Sequence, residues 1–192
     1  MGVMKFWIAR KIVVAAAICV WSTSIVVAGT LQNENLLTSL PPGFHEGFHD
    51  INPRKVFVEY VPAGETVQSW TKMITTQIMR DLKNFDAERW SSGLAERWKK
   101  GCPGGEANRM LGTTENGYPV SIWLYTCPLN PATQKPETMW AKVFSGADAF
   151  YNVQVAYRSA ISKDLTAPTM DILRKAMVCD TRRPDRPCPP SM

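Results

Sequence analysis

The chain has 192 residues, of which 45% are hydrophobic and 20% charged, a balance typical of globular proteins that excludes a disordered chain. Its formal net charge is +5, and Lys5, Arg10 and Lys11 at the N-terminus supply three of those charges. Removing these three from +5 leaves +2 for the remainder, which gives no argument for nucleic-acid binding.

Residues 1–28 have the pattern of a secretory signal peptide. The basic residues precede a long apolar run that ends in Val26-Val27-Ala28, where small or modest side chains suit cleavage after Ala28. An uncleaved membrane anchor over Ile12–Gly29 is the alternative, at the short limit for a bilayer span. Both interpretations place the rest of the chain outside the cytoplasm, in the periplasm or secreted.

The remainder divides by composition into a flexible lead-in over 29–42, a single α+β domain over 43–180 and a Pro-rich tail over 181–192. Four cysteines lie beyond the signal peptide, and an even number in an exported chain predicts two disulfides. Of the three possible pairings, the local pairs are favoured because each flanks recognisable elements. These pairs are Cys102–Cys127 and Cys179–Cys188, and the second pins the tail.

The first predicted elements are strands. The stretch "GFHEGFHD" alternates weakly, so that Phe44, Glu46 and Phe48 are predicted on one side and His45 and His49 on the other. The stretches "KVFVEYVP" and "TKMITTQIM" are rich in β-branched residues and predict two further strands, separated by the breaker "PAG".

A helix is predicted from Asp86 to Gly101. Asp86 is a good N-cap residue, and Phe85 and Trp90 have the spacing of a hydrophobic staple. Trp90 and Leu94 begin an apolar stripe that continues to Trp98, so one side of this helix should pack on the protein.

Two hairpins and a second helix complete the pattern. Asn116-Gly117 is a strong hairpin signal, and Gly146-Ala147-Asp148 predicts the second turn. The last helix is predicted from about Thr166 to Cys179, with Thr166 as its cap. The expected fold class is therefore α+β, with an antiparallel sheet of five to seven strands and two helices packed on one face.

The segment His45-Glu46-Gly47-Phe48-His49 matches the H-E-x-x-H pattern of zinc peptidases, and it holds both histidines of the chain. In those enzymes a helix directs both imidazoles to one metal, and the glutamate acts as base on the metal-bound water.

Two features argue against that chemistry here. The prolines upstream and Gly47 within the motif disfavour a helix. On a regular strand His45 and His49 would share a face but lie about 13 Å apart, too far for one zinc ion. A hairpin that turns at Glu46-Gly47 would bring them together, with Glu59 or Glu65 as a third ligand, and this is the alternative that keeps a zinc-dependent hydrolase open.

No other catalytic set is evident, because "GCPGGE" lacks the lysine of a phosphate loop and no G-x-S-x-G is present. The tryptophans fall mostly at core-like spacings, so burial in the core is favoured over a ligand groove. These are Trp70, Trp90, Trp98, Trp123 and Trp140. For Arg182, Arg183 and Arg186, a solvated charged loop is favoured over an anion-binding surface.

Two stretches, "FVEYVPAGETVQSWTKMITTQIM" and "VCDTRRPDRPCP", carry a resemblance that covers most of the chain beyond the signal peptide. The pattern P-x-G-E-T-V, then W-T-x-M-I-T, then a terminal cysteine pair resembles a family of short secreted proteins of Gram-negative bacteria. The resemblance implies export but no defined activity, and H-E-x-x-H is not a fixed feature of that family. The order of elements is also loosely similar to the PsbP-like sandwich of photosystem II, a binding scaffold.

The sequence thus predicts an exported binding or accessory protein without catalytic machinery or cofactor, whose ligand it does not specify. The expected partner is another envelope or secreted component, with no nucleic acid. The alternatives are the zinc-dependent hydrolase, with His45 and His49 as ligands and Glu46 as base, and a membrane-tethered envelope subunit that retains its N-terminal segment.

Overall fold

The computed structural model describes residues 31–189. The predicted signal peptide, its cleavage site and the alternative membrane anchor lie outside these residues, as do the last residues of the tail. Within 31–189, none of the helices combines the length and apolarity needed to cross a membrane. The elements in chain order are β1 (Glu34–Leu37), β2 (Phe44–Asn52), β3 (Lys55–Pro62), β4 (Lys72–Met79), α1 (Ala87–Gly101), β5 (Glu106–Glu115), β6 (Tyr118–Asn130), β7 (Lys135–Ser145), β8 (Phe150–Tyr157), α2 (Lys163–Lys175) and β9 (Met177–Asp180).

The strands form a seven-stranded sheet in the order β2-β3-β4-β8-β7-β6-β5 and a separate two-stranded sheet of β1 and β9. All pairings are antiparallel. The predicted α+β class and the antiparallel sheet of five to seven strands are confirmed. The centre of the sheet is apolar on both faces, so both faces need a cover.

The two helices lie on opposite faces of the sheet, which corrects the expectation that both pack on one face. Ala95 of α1 packs with Met139 of β7, whereas Leu173 of α2 packs with Trp140, the next residue of the same strand. Successive side chains of a strand point to opposite faces. Each face of the interior strands carries its own apolar clusters. Helix α1 packs on those of one face, and α2 together with β1 and β9 packs on those of the other. We call these sides the α1 face and the α2 face.

The local signals of α1 and the hairpins are confirmed. The Asp86 carboxylate accepts a hydrogen bond from the Arg89 N–H at 2.6 Å, and the Phe85 and Trp90 rings meet edge to face. Asn116 and Gly117 have positive φ values of 47° and 75°, as a tight hairpin turn requires.

The C-terminal region and the lead-in differ from expectation. Helix α2 begins at Lys163, ahead of Thr166, and ends before Ala176, because the residues that follow form β9 and pair with β1. Residues 34–37, predicted to be part of a flexible lead-in, are therefore a strand. Glu34 fastens it further, since its carboxylate accepts hydrogen bonds from the N–H groups of Ala147 and Asp148 in the β7–β8 turn.

Two disulfides fasten the ends of elements. Cys102, which follows α1, is bonded to Cys127 of β6, and Cys179 of β9 is bonded to Cys188 in the tail. These are the local pairs that the sequence favours.

Candidate functional site

The H-E-x-x-H segment lies on β2, an edge strand of the large sheet, and not on a helix. The pairing register shifts between Glu46 and Phe48, so Gly47 forms a bulge. As a result His45 pairs with Val61 and His49 pairs with Val58. Because partners in a sheet share a face, the two imidazoles point to opposite sides of the strand.

This bulge corrects two expectations about the motif. The imidazoles of His45 and His49 do not share a face, and β2 continues through Glu46-Gly47 without the hairpin that would bring them together. His49 Nδ1 instead lies 2.5 Å from the Glu46 carboxylate on the α2 face. Within the described part of the chain, no group of three or more histidine, cysteine or acidic side chains has the geometry to hold a metal.

The two acids considered as a third ligand have different surroundings. The Glu65 carboxylate accepts hydrogen bonds from the Thr71 N–H and the Thr71 hydroxyl, each at 2.7 Å, and so closes the loop between β3 and β4. That loop carries Trp70, whose ring lies 4.4 Å from the Arg158 guanidinium. Glu59 lies on β3 and points to the α1 face, opposite Phe48 and Thr75.

The arginines of the tail contact groups of the chain itself. Arg182 bonds the carboxylates of Asp180 and Asp148, each at 2.7 Å. Arg183 pairs with Asp185, and the Arg186 guanidinium lies over a buried tyrosine ring. These contacts agree with a charged loop and give no support to an anion-binding surface.

A strip of polar side chains runs across the α1 face where α1 does not cover it. Helix α1 lies over β5, β6 and β7, and the strip lies on the neighbouring strands β3, β4 and β8. The register places its members in two cross-strand rows, one of Glu59, Thr75 and Gln154 and one of Phe57, Gln77 and Asn152. We call Glu59, Thr75, Gln77, Asn152 and Gln154 the polar strip.

The polar strip makes few bonds of its own. Asn152 is fully buried and donates to the Gln77 side chain at 3.3 Å, while its own Oδ1 has no partner. Within residues 31–189 the side chains of Glu59, Thr75 and Gln154 make no hydrogen bond or ion pair. Buried polar groups are normally satisfied, and each exception needs an explanation.

Aromatic side chains on the α1 face border the polar strip. Trp90 of α1 contacts Phe150 at 5.0 Å on one side, and Phe48 stands on β2 on the other. Trp70 lies at one end and Phe85 at the other. We call this feature the α1-face groove.

The tryptophans only partly follow the core prediction. Trp140 is 1% exposed and lies in the core on the α2 face. The others are half-buried and pack on the α1 face, where Trp70 and Trp90 border the groove. The remaining members of this set are Trp98 and Trp123.

Glu59 supplies the one negative charge of the polar strip, and burial raises the pKa of its carboxyl above the ordinary value. The folded protein therefore binds more protons than the unfolded chain between the two pKa values. The stabilisation from Glu59 is complete below the unfolded pKa and is lost as the pH rises through the folded pKa.

We therefore expect Glu59→Gln to gain stability relative to the natural protein as the pH rises from about 4 to about 7. Urea unfolding of both proteins at the two pH values measures this difference. Thr76→Val keeps Glu59 and changes the opposite face of β4. Its stability in urea should follow that of the natural protein at both pH values. An unchanged difference between Glu59→Gln and the natural protein would show that the carboxyl is hydrated.

The polar strip was missed from the sequence although a signal exists. In "FYNVQVAY" the polar residues Asn152 and Gln154 alternate with apolar residues, whereas in "TKMITTQIM" the polar Thr76 separates Thr75 from Gln77. In each strand the two polar residues of the strip lie two positions apart, so they share one face of their strand. Only the pairing of β4 with β8, which are separated by α1 and three strands in the chain, brings the two sets together.

Comparison with known proteins adds distant structural likenesses only. No protein-family profile and no curated protein matches the chain. A mutant of the protein Mog1 has a TM-score of 0.46 and 13% identity, covering 77% of this chain and 92% of its own. The Saccharomyces cerevisiae Ran-binding protein Mog1p has a TM-score of 0.46 and 12% identity, covering 79% of this chain and 98% of its own. LpqN, involved in cell envelope biogenesis of Mycobacterium tuberculosis, has a TM-score of 0.41 and 10% identity, covering 80% of this chain and 87% of its own.

At such low identities and TM-scores these likenesses support no conclusion about function. They also do not confirm the loose similarity to the PsbP-like sandwich.

Proposed function

We propose that the chain is an exported binding or accessory protein, periplasmic or secreted, that holds a ligand or partner in the α1-face groove. The observation that carries the proposal is the polar strip. Its side chains lie on three adjacent strands, are partly or fully buried, and have donors and acceptors unused within residues 31–189. Sites that combine aromatic side chains with a few polar groups are typical of ligand binding.

Export is supported by the cysteines and by the N-terminal pattern. Two disulfides close the ends of α1 and of the tail, and such bonds persist in oxidising compartments such as the periplasm. The basic residues and the apolar run within residues 1–28 have the pattern of a secretory signal peptide, which directs a chain to export.

The proposal includes no catalytic step and no resident metal. His45 and His49 point to opposite sides of β2, and Glu65 is engaged by Thr71. Stoichiometric zinc in protein purified without a histidine tag, lost in His49→Ala, would contradict this part of the proposal.

The groove is tested by placing the photo-crosslinker benzoylphenylalanine at Phe48, with Ile51 as the matched control. Both residues are exposed on β2, at 46% and 61%, but Phe48 lies on the α1 face and Ile51 on the α2 face. In native cells we expect an irradiation-dependent adduct at position 48 that is absent at 51 and is lost when Gln154→Val is added. Equal adducts at both positions, or an adduct that Gln154→Val leaves unchanged, would contradict binding in the groove.

A further inference from the structure

We infer that the ligand of the α1-face groove is a carbohydrate, an uncharged stretch of glycan whose hydroxyl groups bond to the polar strip. This inference rests on the proposed function and names the chemical class of its ligand.

The position of the strip excludes recognition through backbone pairing. Peptides often bind a sheet by adding a strand to a free edge. The strip lies on β3, β4 and β8, which are interior strands with both neighbours in place. A ligand above them meets side chains only, so it must bring hydrogen-bonding groups of its own that point downward onto the sheet.

The hydrogen-bonding groups of the polar strip are suited to a ligand that carries hydroxyl groups. Gln77 and Gln154 present amides that both donate and accept, and Thr75 presents a hydroxyl. When it is ionised, the Glu59 carboxylate accepts hydrogen bonds and donates none. A ring of hydroxyl groups can donate to the carboxylate and amide oxygens and accept from the amide nitrogens at the same time, which purely cationic or purely anionic ligands cannot do.

The size of the strip suits a short oligosaccharide. Its two rows are separated by two residues along each strand, about 7 Å, and its three strands span about 10 Å across. This area is too small for a folded partner, which buries roughly 800 Å² on each side of a standard interface.

Phe48 and Phe57 provide an apolar surface beside the hydrogen-bonding groups. Their rings meet edge to face at 6.1 Å, and Phe48 is 46% exposed. A sugar ring has polar edges and faces of C–H groups, and those faces pack on aromatic rings as other apolar groups do. Phe48 and Phe57 adjoin Glu59 in the register, so one ligand can contact an aromatic ring and the polar strip together.

The charge around the groove favours a neutral ligand. Glu59 is the acid on the floor, while guanidinium groups stand at the border, with Arg97 over Trp90 and Arg158 over Trp70. Because the one carboxyl and the two guanidinium groups are of opposite sign and lie at different places, they form no extended patch of a single sign that would attract a polycation or a polyanion.

The inference is tested with the full exported protein on an array of neutral oligosaccharides that includes β-1,4-linked N-acetylglucosamine oligomers. The sugar that gives the highest signal is then titrated in solution, and binding is followed by the fluorescence of Trp70 and Trp90 at the border of the groove. We expect saturable binding that is weakened at least about tenfold by Thr75→Val and by Gln154→Val.

Thr76→Val is the matched control, because it is the same substitution on the adjacent residue of β4 and points to the α2 face. We expect it to bind like the natural protein. Thr75→Val and Gln154→Val should remain at least as resistant to urea as the natural protein, because an apolar group replaces a polar group that has no partner within residues 31–189. Lost binding in these variants is then not a result of unfolding.

Failure of this inference differs from failure of the proposed function. No saturable sugar binding, together with a persistent adduct at Phe48, would overturn the carbohydrate class and leave the groove as a binding site for other chemistry. Sugar binding that Thr75→Val and Thr76→Val weaken equally would overturn the groove as its location. Absence of both the sugar signal and the adduct would overturn the two proposals together.

Discussion

Lys142→Met is expected to lower the free energy of unfolding by about 3 kcal/mol, measured by urea unfolding with the disulfides intact. Lys142 lies on β7 and points to the α2 face, and its side chain is 1% exposed. Its Nζ donates to the Glu115 carboxylate at 2.6 Å and to the carbonyl oxygens of Leu173 and Ala176, each at 2.9 Å.

The size of the effect follows from what the substitution leaves behind. The ammonium group has three donors and uses all of them here. The two carbonyl groups lie at the C-terminal end of α2, where helix carbonyls lack partners in the helix and a positive charge is stabilising. Methionine fills a similar volume but leaves these carbonyls unsatisfied in the core, while the Glu115 side chain, 35% exposed, can regain water.

Lys175→Met is the control, because Lys175 is an exposed lysine in the last turn of the same helix. We expect it to change stability by less than about 0.5 kcal/mol. Adding Glu115→Gln to Lys142→Met should cost less than the sum of the single changes, since the two side chains contact each other. A loss below about 1 kcal/mol for Lys142→Met would show that the carbonyls of α2 find water or other donors.

Local chemistry explains the elements that the sequence predicts well. The hairpin at Asn116-Gly117 and the start of α1 at Asp86 depend on residues within one turn of each other. The disulfide pairing follows the same rule, because both bonds connect cysteines that are close in the chain. The hairpin and the helix start are determined by neighbouring residues, and each disulfide joins two cysteines that follow one another in cysteine order.

Contacts between distant parts of the chain explain what the sequence could not predict. The strand β1 pairs with β9, near the opposite end of the chain, so no residue close to Glu34 in the sequence predicts that β1 is a strand. Lys142 stands in an apolar strand, and its partners come from β5 and α2. The bulge at Gly47, which separates the faces of His45 and His49, depends on the neighbouring strand and on Val67 packing at that glycine.

The candidate site also combines features that are local in the sequence with features that depend on distant contacts. The polar residues of β4 are visible in the sequence, but their opposition to β8, and their position beside the strands that α1 covers, are properties of the fold. Placing both helices on one face, as the sequence suggests, would have left the apolar cluster of the other face exposed. With one helix on each side, α1 covers β5, β6 and β7 of its face, and the polar strip lies on the strands beside them.

The disulfide Cys102–Cys127 is expected to contribute about 3.5 kcal/mol to the free energy of unfolding, so Cys102→Ala with Cys127→Ala should lose about that amount in urea. The bond spans 25 residues and ties the end of α1 to β6. The model of loop entropy makes a longer closed loop more stabilising. Both cysteines are buried, so their truncation also removes packing where α1 meets the sheet.

Cys179→Ala with Cys188→Ala is the matched comparison, because that bond spans only 9 residues. Its expected loss is about 2.7 kcal/mol, and it should release the tail while α1 stays in place. Peptide mapping of the exported protein without reduction tests the pairing directly, with the same local pairs expected. If either cysteine pair were found as free thiols, the stability difference would have no basis and the argument for an oxidising compartment would fail with it. If the shorter loop proved the more stabilising, strain or packing rather than chain entropy would dominate at these bonds.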